Sequence, residues 1–94
     1  MSYRLATTLA SSLVLVLCAS APARAADSDF CRDYARTAIH QVHQAGERCP
    51  YLLSQGARWQ GDYGGHFNWC LGVRRDQADS ERDARWRALH DCRR

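Results

Sequence analysis

The chain has 94 residues, with 13 arginines and no lysine, ten acidic residues, five cysteines and a formal charge of +3. That length holds one domain. It excludes a TIM barrel, a complete Rossmann domain, or separate catalytic and substrate domains.

The first quarter differs in kind from the rest. Arg4 is followed by an uncharged stretch, Leu5 to Ala21, centred on Leu13-Val14-Leu15-Val16-Leu17. Ala23-Arg24-Ala25 then offers a small-residue cleavage site ahead of Ala26. A charged n-region, an apolar h-region and an A-x-A site are the layout of a secretory signal peptide. The apolar run is short for a membrane span of ~20 residues, and Leu17 is large for the position before a lipidated Cys18. The expectation is therefore a cleaved signal over residues 1–25 and a mature chain over residues 26–94. That 69-residue chain keeps 11 arginines against ten acids, for a net charge of +1, and is 39 % hydrophobic. It also loses Cys18, leaving Cys31, Cys49, Cys70 and Cys92.

From Asp29 to Ala45, the residues Cys31, Tyr34, Ala35, Ala38, Ile39, Val42 and Ala45 share one face at helical spacing. Ser28 or Asp29 is the expected N-cap. Gly46 is the expected C-cap, with Pro50 forbidding continuation. Five of the six glycines then fall between Gly56 and Gly72, among Tyr51, Trp59, Tyr63, Phe67 and Trp69. This middle segment mixes turn signals with aromatic residues that provide core area. His66–Leu71 within it could form a short helix that points Cys70 inward. Tyr51-Leu52-Leu53 could close the core over Cys49 or stand exposed as a partner surface. From Asp76 to Asp91 a second long helix is expected, with Asp76 and Asp79 as a capping box. Its acid-before-base pairs are Glu81–Arg85 and Asp83–Arg87. Its buried stripe is thin: Ala78, Arg82, Trp86, Leu89 and Cys92, with Trp86 supplying much of the packing.

Four cysteines in a short exported chain read as two disulfides, which a 69-residue core needs for stability. Cys31 and Cys49 stand at opposite ends of the first helix, ~25 Å apart, whereas a disulfide spans Cα atoms about 4.4–6.8 Å apart. If the two long helices pack antiparallel, the pairs are Cys31–Cys92 and Cys49–Cys70. The fold expectation is thus all-α: a disulfide-stapled helical hairpin with a glycine- and aromatic-rich middle segment and a short third helix.

Cys31-x-x-Tyr34-Ala35, then Arg58-Trp59, His66-x-x-Trp69-Cys70, and an acidic-arginine helix ending in Cys92 together resemble a family of small exported four-cysteine domains of proteobacteria. The resemblance spans nearly all of the mature chain. It implies compartment and architecture and brings no activity with it.

Chemical motifs are few. G-x-S-x-G, H-E-x-x-H, C-x-x-C and a phosphate-cradling glycine loop are all missing, and no lysine exists to form a Schiff base. His40 and His43 sit at i, i+3, but His40 points directly away from the apolar face of the first helix and His43 lies at its edge. His90 suits the negative end of the last helix. His66, between Gly64-Gly65 and Trp69-Cys70, is either a hydrogen-bonded core residue or part of a ligand site. The cysteine spacings favour disulfides over zinc ligation. A net charge of +1 opposes nucleic-acid binding.

The expected function is a non-enzymatic, periplasmic or secreted binding or accessory module for a protein or cell-envelope partner. It has no cofactor, no metal and no stable membrane span after cleavage. Arg58, Trp59, His66 and Trp69 are its candidate binding residues, since arginine beside tryptophan forms cation–π surfaces. The alternatives are a small-ligand or metal-binding protein using His66 with His40, His43 or His90, and an inhibitor of an exported hydrolase.

Overall fold

The computed structural model describes residues 25–92. The expected signal lies outside the described residues, apart from Ala25. Three α-helices follow: α1 (Ser28–Arg48), α2 (Tyr63–Leu71) and α3 (Arg75–Asp91). Two short 3-10 turns, Pro50–Ser54 and Ala57–Trp59, join α1 to α2. The architecture is all-α and stapled by two disulfides.

Helix α1 starts one residue earlier than its sequence signals suggest. Asp27, in extended conformation, caps it by accepting the Phe30 N–H at 2.8 Å. Ser28 and Asp29 lie inside the first turn. The helix then runs through Gly46 to Arg48, so Gly46 is not its C-cap. Pro50 is the stop: it has no N–H to donate and opens the next 3-10 turn at its first position. Six of the seven expected positions form the buried face; Ile39 is only partly buried, and Gln41 joins the face instead.

Helix α2 begins at Tyr63, three residues before the expected start. Asp62 caps it by accepting the Gly65 N–H at 3.2 Å. Cys70 is fully buried, as its position in the short helix predicts. Helix α3 begins at Arg75, with the Gln77 side chain accepting the Arg74 N–H at 3.2 Å. Asp76 binds Arg74 instead of capping with Asp79. Glu81 pairs with Arg58 and Arg82 with Asp79 and Asp83, in place of the expected i, i+4 pairs.

The buried stripe of α3 also needs correction. It is Ala78, Arg85 and Leu89, while Trp86 is 40 % exposed. The i, i+7, i+11 spacing of those three residues turns Arg85 inward in place of Arg82. Gln41 of α1 receives it.

The disulfides are Cys31–Cys70 and Cys49–Cys92, with Cα separations of 5.6 and 6.2 Å. They replace the expected Cys31–Cys92 and Cys49–Cys70 pairs, because the long helices do not pack antiparallel. The start of α3 meets the start of α1: Arg75 lies 4.0 Å from Asp27 and 4.6 Å from the Phe30 ring. Arg85 reaches Gln41 midway, and Cys92 meets Cys49 at the far end. The two helices therefore run in the same direction. Helix α2, longer than the short helix expected over His66–Leu71, makes the return journey. An N–H···O bond from Ala26 to Val73 at 3.0 Å ties this end together.

Each disulfide sits in its own apolar cluster. Cys31 and Cys70 pack with Ala26, Tyr34 and Ala78, backed by Phe30, Phe67 and Val73. Cys49 packs with Val42, Ala45, Leu52, Trp59 and Leu89, with Cys92 against it. Leu52 thus closes the core over Cys49, while Tyr51 and Leu53 remain exposed. Along α1 and α3, between the clusters, lies a polar waist formed by Gln41 and Arg85.

Candidate functional site

The waist opens into a cavity of about 220 Å³ bordered by all three helices and the second 3-10 turn. That is smaller than the roughly 300–1,000 Å³ of sites for drug-sized ligands. Its apolar walls are Tyr34, Ala57 and Trp69, and its charged or titratable groups are Arg58, His66, Glu81 and Arg85. Helical spacing delivers these groups in pairs. His66 and Trp69 stand at i, i+3 on α2, and Glu81 and Arg85 at i, i+4 on α3, so each pair shares a face.

Arg85 is 1 % exposed. Its Nε donates to Gln41 Oε1 at 2.5 Å and its Nη1 to the Arg58 carbonyl at 3.3 Å. Its guanidinium carbon stands 5.2 Å from the Tyr34 ring centroid. Nη2 is buried with no hydrogen-bond partner among the described residues. Gln41, itself fully buried, is held by donating its Nε2 to the Arg82 carbonyl at 3.0 Å. All these partners are dipoles or π-electrons, none of them a carboxylate.

Glu81 accepts two hydrogen bonds from Arg58, at 2.8 and 2.9 Å. This fork geometry is the strong form of an ion pair. It holds the Glu81 carboxyl below its usual range against the opposing effect of burial. Burial raises the Tyr34 hydroxyl above its ordinary value, against the opposing effect of the nearby Arg85 charge.

His66 is buried, and its Nε2 lies 2.8 Å from the Gln60 carbonyl oxygen. A carbonyl only accepts, so Nε2 carries the proton and the neutral ring leaves Nδ1 as an acceptor. Burial lowers the His66 pKa, with the Arg85 charge adding to the effect. The Gln60 side chain in turn packs over Gly65, where a Cβ would stand 2.5 Å from Oε1. Tyr34 and Trp69 are tilted against one another at 5.6 Å, and Tyr34 meets the His66 ring edge-on at 6.3 Å.

Of the four candidate binding residues, Arg58, His66 and Trp69 converge on this cavity. Trp59 does not: it is 4 % exposed and belongs to the Cys49 cluster. The 3-10 turn accounts for the split, since it sends neighbouring side chains to different sides. His40, His43 and His90 are exposed on α1 and α3, away from His66. Among the described residues no group of three or more His, Cys, Asp or Glu could hold a metal ion.

Sequence reasoning missed Tyr34, Glu81 and Arg85 as site residues. Tyr34 reads as one more core position, and Glu81–Arg85 reads as an exposed helix pair. The available signal was the spacing Ala78–Arg85–Leu89, which sets an arginine on an apolar stripe. Comparison of the chain with protein-family models, curated proteins and solved structures finds no match.

Proposed function

We propose that this chain is an exported, non-enzymatic binding module whose seat is the cavity at the waist. One observation carries the reading. Arg58, His66 and Trp69, spread over 12 positions of a turn-rich segment, meet with Glu81 and Arg85 around a walled space of about 220 Å³. Apolar walls with a few converging polar groups are the usual composition of a small-ligand site. The two disulfides support this role, because crosslinks at both ends of the bundle keep the walls in place before a ligand arrives. Export accounts for their oxidation. No helix among the described residues is long and apolar enough to cross a membrane.

The reading is tested on the oxidised protein by amide and indole NMR with three small aromatic probes: benzamide, phenol and indole. Shifts confined to Tyr34, Ala57, His66 and Trp69, and lost on filling the space with Ala57→Trp, are the expected result. Probes that leave those signals unmoved at millimolar concentration would overturn it.

A further inference from the structure

The lining of the cavity carries an unbalanced charge. Arg58 and Glu81 neutralise one another through their paired hydrogen bonds. His66 donates from Nε2 to a carbonyl as a neutral ring. Arg85 remains, and among the described residues no carboxylate lies within ion-pair distance of it. Its nearest supports are the Gln41 amide, the Arg58 carbonyl and the Tyr34 ring, which stabilise a cation without cancelling its charge. A guanidinium 1 % exposed has given up most of its hydration. An apolar residue of similar volume would not carry that cost, and with no carboxylate of the described residues in reach the positive charge of Arg85 is left for an anion from outside the chain to balance.

We propose that the ligand of this cavity is a small monocarboxylate with an apolar or aromatic body, its single negative charge balancing Arg85. This rests on the binding role argued above and adds the chemistry of the occupant. The charge is one because the lining sums to one positive unit. The body is apolar because Tyr34, Ala57 and Trp69 form the walls. Trp69 is 40 % exposed, so a flat face is available to a ring at the mouth. The edge of Arg58, 44 % exposed at its side chain, offers further N–H groups to the carboxylate.

Two near-isosteric variants shift the lining charge in opposite directions. Gln41→Glu sets a carboxylate where Oε1 now accepts from Arg85, which brings the sum to zero. Glu81→Gln releases Arg58 and brings the sum to two. Calorimetry with benzoate and its neutral isostere benzamide reads the charge preference directly. The oxidised protein is expected to bind benzoate at least about tenfold more tightly, the scale of one charge-assisted hydrogen bond. That ratio should collapse toward one in Gln41→Glu and rise severalfold in Glu81→Gln. Equal affinities for benzoate and benzamide, with the ratio unmoved in both variants, would overturn the charge assignment while leaving the cavity as a binding seat. Inorganic phosphate binding more tightly than benzoate would overturn the carboxylate assignment. Failure of every probe, benzamide included, overturns the binding role itself.

Discussion

Gln41 and Arg85 form a buried polar pair whose members depend on one another. A buried amide that accepts from a buried guanidinium satisfies two groups at once, so removing either leaves the other desolvated and unpaired. Gln41→Leu is expected to destabilise the protein by about 2 kcal/mol, read from the urea midpoint of the oxidised protein. His66 adds a pH dependence. Burial holds its pKa below the ordinary 6.5, so the unfolded chain binds the proton more readily than the folded one. Stability is therefore complete above pH 6.5 and falls as the pH drops below it. Gln at position 66 keeps a donor near the Gln60 carbonyl but does not titrate. The loss of stability between pH 7 and 5.5 should accordingly be smaller in His66→Gln than in the unmodified protein. Equal losses in the two would remove His66 from this account.

At the scale of elements, α2 has more consequence than its nine residues suggest. It reverses the chain, buries Cys70 and presents His66 and Trp69 from one face. Its first turn depends on Asp62. Asp62→Ala should cost about 1 kcal/mol in the denaturation midpoint and weaken probe binding at the waist, because His66 lies in the turn that is loosened. The aromatic 3-10 segment before it shows how short-range geometry divides similar residues. Gly56, at φ 100°, adopts a conformation that residues with a Cβ rarely enter. From that point the chain sends Trp59 into the core and Arg58 outward to Glu81. No periodic pattern marks that division, which is why Arg58 and Trp59 read as one surface motif in the sequence. The amphipathic period of α1, by contrast, was largely legible, since six of the seven expected inward positions between Cys31 and Ala45 are buried.

For the whole molecule, topology determines which covalent bonds can form. The pairs Cys31–Cys70 and Cys49–Cys92 enclose sequence separations of 39 and 43 residues. In the chain-entropy model each is worth about 4 kcal/mol. Replacing either pair with serine should lower stability by that order. Trypsin cleavage after arginine places the four cysteines on separate peptides, so a non-reducing digest reads the pairing directly. The Cys31 peptide ending at Arg32 should be joined to residues 59–74, and residues 49–58 to residues 88–93. Recovery of the Cys31 peptide joined to residues 88–93 would restore the antiparallel hairpin and remove the cavity with it.

The sequence by itself determined the all-helical class, the first helix and most of its inward face, the need for two crosslinks, and three residues of the candidate site. These follow from local physics: periodicity, the missing N–H of proline, and the small core of a short chain. Only the tertiary structure decided the pairing of the cysteines, the parallel course of α1 and α3, and the inward turn of Arg85. Those depend on where α2 carries the chain before α3 begins. An arginine on α3 is a surface residue or a buried cation according to whether Gln41 of α1 stands opposite it, and spacing along one chain does not record what stands opposite.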